Sequence, residues 1–114
     1  MDGIVFFRTE RLDAVVEFYV KRVGAEVWLE QPDCTILETG GFRFGFCERE
    51  RPETDGILTF VVDSRAAVDA MYEPLASVAD EEPRYNERYE IYQFFASDPE
   101  GRTVEVQCFE HGTG

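Results

Sequence analysis

The chain is poor in basic charge, and poorer still in lysine. Lys and Arg together number 11 against 24 Asp and Glu, a formal net charge of −13, and Lys21 is the single lysine. With no basic patch to release counterions, nucleic acid and anionic membrane surfaces are disfavoured as partners. Few lysines among many acids fit a cytoplasm of very high salt, where screening relieves self-repulsion, and equally a GC-rich genome. The one histidine, His111, stands near the C-terminus beside glycine and reads as a tail residue, not a catalytic base. The three cysteines, Cys34, Cys47 and Cys108, show no CxxC spacing. They are expected to be buried free thiols, with neither a disulfide framework nor a structural zinc site. No apolar run approaches the ~20 residues of a membrane span, and the N-terminus lacks the charged-then-apolar form of a secretion signal. The expected location is the cytoplasm.

What is present is one domain's worth of chain. At 114 residues, 44% hydrophobic and 14% aromatic, it can bury a modest core and is globular. Ile4–Phe7 reads as a strand. Leu12, Val15, Val16, Tyr19, Val20 and Val23 recur at helical spacing, with Gly24 as the stop. Ala25–Glu30 reads as a strand carrying Trp28, and Cys34–Thr39 with Phe42–Glu48 as a hairpin about Gly40-Gly41. After a charged linker over 49–55 the order begins again. Gly56–Val62 is a strand, Asp63-Ser64 a helix cap, Arg65–Leu75 a helix and Glu82–Tyr85 a short strand.

The last pair of strands matters most. Asp98-Pro99-Glu100-Gly101 is a turn: Asp98 can bond the backbone ahead, Pro99 fixes φ, and Gly101 can take φ > 0. Tyr89–Ala96 and Thr103–Phe109 flank it as a hairpin. In the final strand Val104, Val106 and Cys108 share one face, while Thr103, Glu105, Gln107 and Phe109 share the other. A carboxylate and an amide in mid-strand belong on a face that meets water or lines a cavity. The whole chain is thus βαβββ twice, with modules at about 3–48 and 56–109.

In that order the chain resembles the vicinal oxygen chelate superfamily, which includes glyoxalase I, bleomycin-resistance proteins and extradiol dioxygenases. Leu12-Asp-Ala-Val-Val-Glu-Phe-Tyr19 with Gly24, Gly41-Phe-Arg-Phe-Gly-Phe46, Gly56–Asp63 and Asp98–Glu105 carry the likeness. The resemblance implies an α+β fold of two βαβββ modules whose sheets curl into an open barrel, with helices outside and the site on the concave face. Thr103, Glu105 and Gln107 would then line the cavity, as would Arg43, Gly45 and Cys47. Phe44 and Phe46 would pack under a helix. Metal-using members hold a divalent ion with His, His and Glu. Carried across, only the Glu survives, as Glu105. Ile4, Gly45 and Ile57 fall at the other positions and cannot bind a metal, so no metal cofactor is expected.

The candidate site residues are Glu105 for catalysis or anchoring, with Arg43, Cys47, Thr59, Thr103, Gln107, Trp28 and Tyr92 for binding. Glu105 is either a ligand anchor or general base, or a structural carboxylate paired with Arg43 or Arg8. Arg43 is either a clamp for a ligand anion or that partner. Cys47 is a cavity-lining residue and not a nucleophile, because no base is near it in sequence. The aromatics divide between core, cavity and dimer seam, and periodicity leaves the face of Tyr92 and Phe94 open. The expected function is metal-independent small-molecule binding of the bleomycin-resistance type, in a homodimer. A lyase or isomerase using Glu105 as base, and a regulatory module with a vestigial cavity, are the alternatives.

Overall fold

Tyr19 is where the two layers of the first module meet. Its ring stacks on Phe46 with centroids 5.3 Å apart and meets Phe44 edge-on at 5.3 Å. In the computed structural model the structure describes residues 1–110, in two compact units, Met1–Thr54 and Asp55 onward. The first unit runs β1 (Val5–Thr9), α1 (Leu12–Phe18), β2 (Glu26–Glu30), β3 (Cys34–Thr39) and β4 (Phe42–Glu48). Its sheet order is β1-β4-β3-β2, with β1 parallel to β4 and the rest antiparallel. The helix continues beyond α1 as a π turn, Tyr19–Val23. Gly24 closes it at φ +92°, its N–H bonded to the Tyr19 carbonyl at 3.0 Å. Only glycine takes that conformation freely. The wide last turn brings Phe18 as well as Val15 and Tyr19 into the core.

The second unit repeats the pattern: β5 (Ile57–Val61), α2 (Arg65–Leu75), β6 (Arg84–Asn86), β7 (Ile91–Ser97) and β8 (Thr103–Phe109). Its sheet order is β5-β8-β7-β6, with β5 parallel to β8. Ser64 caps α2 as expected, its Oγ accepting from the Ala67 N–H at 3.0 Å. Val68 and Leu75 of α2 are buried, and so are Leu58, Phe60, Phe94, Val104, Val106 and Cys108. The alternation in β8 therefore has the sense read from the sequence. The architecture is the expected α+β one, two βαβββ modules. Among the described residues no helix is long and apolar enough to cross a membrane.

The Asp98–Arg102 connection is built more firmly than a surface turn. Asp98 Oδ1 accepts from the Glu100 N–H at 2.8 Å and the Arg102 N–H at 3.0 Å, while Gly101 sits at φ +85°. Arg102 is buried, its guanidinium 3.1 Å from Asp98 and 3.0 Å from Glu100. This buried ion cluster pins the two strands that carry Glu105 and its neighbours.

One expectation fails outright. Cys34 and Cys47 are not free thiols: they form a disulfide, and only Cys108 is a free cysteine among the described residues. They are register partners on β3 and β4. The tight turn at Gly40-Gly41, with φ of +54° and +90°, brings them face to face. His111 lies outside the described residues.

Candidate functional site

β8 is hydrogen-bonded on both sides, to β5 and to β7, so its outward residues sit at the centre of a sheet face. Parallel pairing puts Thr59 beside Glu105, and antiparallel pairing puts Phe95 on its other flank. One step along β8, Gln107 faces Gln93. Thr59, Glu105, Gln107 and Gln93 thus form one contiguous polar cluster on the face turned away from α2. Thr103 shares that face, beside Ile57 and Ser97.

The cluster is sunk. Glu105 is 9% exposed, Gln107 8% and Gln93 7%, while Ile57, Val61 and Phe109 on the same face are exposed. Ordinary surfaces do the reverse, keeping polar groups wet and apolar ones covered. Glu105 Oε1 accepts a 2.9 Å hydrogen bond from the Thr59 hydroxyl, and no ion pair reaches the carboxylate among the described residues. Gln93 Oε1 is buried with no hydrogen-bond partner.

Arg43 and Arg8, the partners considered for Glu105, each have acidic partners within the first unit. Arg43 belongs to the first unit, where its Nε donates to Glu38 at 2.7 Å and its Nη1 lies 3.3 Å from Asp2. The Glu38 hydrogen bond, aided by Asp2, raises the Arg43 pKa above its ordinary value. Its guanidinium also lies 4.2 Å from the centre of the Trp28 ring. Arg43 is therefore already neutralised and stacked, a poor clamp for an anion. Arg8 is held by Glu53 and the Arg51 carbonyl.

Cys47 is committed to its disulfide and is neither a free cavity thiol nor a nucleophile. Tyr92, grouped from sequence with the cavity residues, lies on the other face of its sheet. It is the register partner of Cys108, its hydroxyl donates to Asp69 of α2 at 2.8 Å, and the Arg65 guanidinium lies 4.7 Å over its ring. The hydrogen bond to Asp69 raises the phenol's pKa. Arg65 in turn pairs with Glu110. Tyr92 is thus part of the helix-to-sheet seam.

Gly45 and Phe6 are register partners in the first unit, and the Phe6 ring crosses over the glycine. A Cβ on Gly45 would come within 2.7 Å of two Phe6 ring carbons. Gly45, which falls at one of the ligand positions of metal-using members, is therefore roofed by an aromatic ring. Gln93 was not legible as a site residue, because its face follows only from the β7–β8 register.

Set against solved structures, this arrangement is familiar along nearly its full length. A glyoxalase/bleomycin resistance protein/dioxygenase family enzyme from Burkholderia phytofirmans PsJN is 22% identical. It matches with a TM-score of 0.80 over 95% of this chain and 98% of its own. The chain has the glyoxalase/bleomycin-resistance fold. A glyoxalase/bleomycin resistance protein/dioxygenase from Nocardioides matches at 18% identity and TM-score 0.77, covering 99% of this chain and 86% of its own. Lactoylglutathione lyase from Agrobacterium tumefaciens matches at 22% identity and TM-score 0.73, covering 95% and 91%. No family model matches the sequence, and no curated protein matches it. On this glyoxalase-type fold the side chains do not make the His, His and Glu set of metal-using members. Beside Glu105 stand a hydroxyl and neutral amides, Ile4 and Ile57 are aliphatic, and Gly45 has no side chain. Among the described residues no three His, Cys, Asp or Glu side chains are grouped to hold a metal ion.

Proposed function

We propose that this protein binds a small molecule without a metal, on the helix-free face of its second sheet, over Glu105. The observation that carries the reading is a buried carboxylate with one hydroxyl partner and no cation, inside an exposed apolar surround. A buried charge left unpaired costs several kcal/mol, on the order of what breaking a buried ion pair costs, so a purely structural Glu would not be kept there. Ile57, Val61 and Phe109 supply apolar area for a ligand body, and the polar cluster supplies orientation, the usual division of labour in a ligand site. In the first module the Phe6 ring takes up the space over Gly45, which concentrates the binding reading on the second module.

The reading favours binding over turnover. General-base catalysis needs a group that polarises the substrate opposite the base. Of the two residues considered for polarising a substrate, Arg43 is engaged with Glu38, Asp2 and Trp28, and Gln107, on the same strand face as Glu105, offers only a neutral amide. Ligand-observed NMR with a fragment library, on protein dialysed against a chelator, tests the proposal. Fragments should bind the wild type and lose affinity on Glu105→Gln. Binding that appears only after a divalent metal is added would overturn it.

A further inference from the structure

We propose that the ligand of this face presents a cationic group rich in N–H donors, a guanidinium or amidinium, carried on an apolar body. The inference rests on the binding reading above and adds the charge and donor count of the ligand.

Three observations converge on it. Glu105 has one oxygen occupied by Thr59, while the carboxylate as a whole has no cationic partner among the described residues. Gln93 Oε1 is a buried acceptor with no donor, two residues along the face from Glu105's own register. Gln107 lies between them, on the same strand as Glu105 and opposite Gln93. An ionised carboxylate only accepts, and an amide oxygen only accepts. A ligand that satisfies both must therefore donate at two points, set diagonally across the β7–β8 pair. A planar cation with forked N–H groups does this, and neutralises Glu105 in the same step.

Reversing the side-chain amides would offer donors instead, as an anion requires, but Glu105 would then repel that anion at contact distance. A bare divalent cation is a weaker fit, since one carboxylate and neutral oxygens give it little charge to replace its water shell. The apolar neighbours argue for a hydrophobic body. Phe95 flanks Glu105 in register, and Ile57, Val61 and Phe109 are exposed on the same face.

The test uses three probes of nearly one shape: benzamidine (cationic), benzamide (neutral) and benzoate (anionic). Each is titrated into the full-length protein in high salt with chelator, and amide chemical shifts at 59, 93, 105 and 107 are followed. Benzamidine should bind there at least about tenfold more tightly than benzamide, the scale of one charge-assisted hydrogen bond. Benzoate should bind least. The preference should vanish in Glu105→Gln and weaken in Gln93→Leu. Glu105→Gln changes the net charge only from −13 to −12, so general attraction of cations to an acidic protein would survive it. Equal binding of benzamidine and benzamide at these residues would overturn the cation inference and leave the binding reading intact. If none of the three moves these resonances, the binding reading falls with it.

Discussion

Thr59 Oγ1 donates to Glu105 Oε1 at 2.9 Å across the β5–β8 ladder, so the buried carboxylate is held by a hydroxyl and not by a cation. Two substitutions separate these situations. Thr59→Val keeps the shape and leaves a buried oxygen without its donor, a loss of about 1–3 kcal/mol. Glu105→Gln keeps an acceptor for Thr59 and removes an uncompensated charge. Its stability in urea should stay within about 1 kcal/mol of wild type or rise. A larger loss for Glu105→Gln than for Thr59→Val would mean that the charge is structurally paired.

Arg102 is the counter-example, a buried cation with both its acids in place. Arg102→Met would remove the cation from two covered carboxylates, Asp98 and Glu100. The expected cost is about 3–5 kcal/mol by equilibrium unfolding. Because the Asp98–Arg102 connection sets β7 against β8, amide shifts at Gln93 and Glu105 should move as well. An undisturbed β7–β8 register with full stability would contradict the role given to this cluster.

The Cys34–Cys47 disulfide closes a loop with a sequence separation of 13. For a loop of that size, removing the cross-link lowers stability by about 3 kcal/mol in the chain-entropy account. The paired Cys34→Ala, Cys47→Ala variant should show that loss. Dithiothreitol should lower the wild type equally and leave the variant unchanged. Insensitivity of the wild type to reductant would mean that the bond does not form in solution. A bond present in freshly prepared protein would also argue against a reducing compartment.

β2 bears Val27, Trp28 and Leu29, all exposed, at the edge of its sheet. Such an edge invites pairing with a second copy. Sedimentation should give about twice the 13.1 kDa chain mass, more completely at high salt, where the repulsion between acidic chains is screened. A monomer at both low and high salt would contradict a homodimer.

Much of the fold was legible because it is local. Ser64 before a helical run, Gly24 after one and strict alternation from Thr103 to Phe109 each follow from neighbouring residues. The misses are matters of register and pairing. Once the turn is centred on Gly40-Gly41, Thr39 faces Phe42, and counting back places Cys34 opposite Cys47. The signal was present, but cysteine spacing alone does not contain it. Tyr92 behaves likewise. Ser97 faces Thr103 across the Asp98–Arg102 connection, which fixes Tyr92 opposite Cys108 on the helix side and Gln93 opposite Gln107 on the site side. Arg102 was invisible for another reason: a charged turn residue is ordinarily wet, and its burial depends on two acids folding back over it.

The central claim is that a ligand binds over Glu105 without metal. Its most direct test is backbone amide shift mapping of chelator-dialysed protein with a mixed set of cationic, neutral and anionic fragments. The account predicts that the responding amides cluster at Thr59, Gln93, Glu105 and Gln107, and that Glu105→Gln abolishes the strongest responses. Responses confined to other surfaces, or seen only after zinc, manganese or nickel is restored, would contradict it.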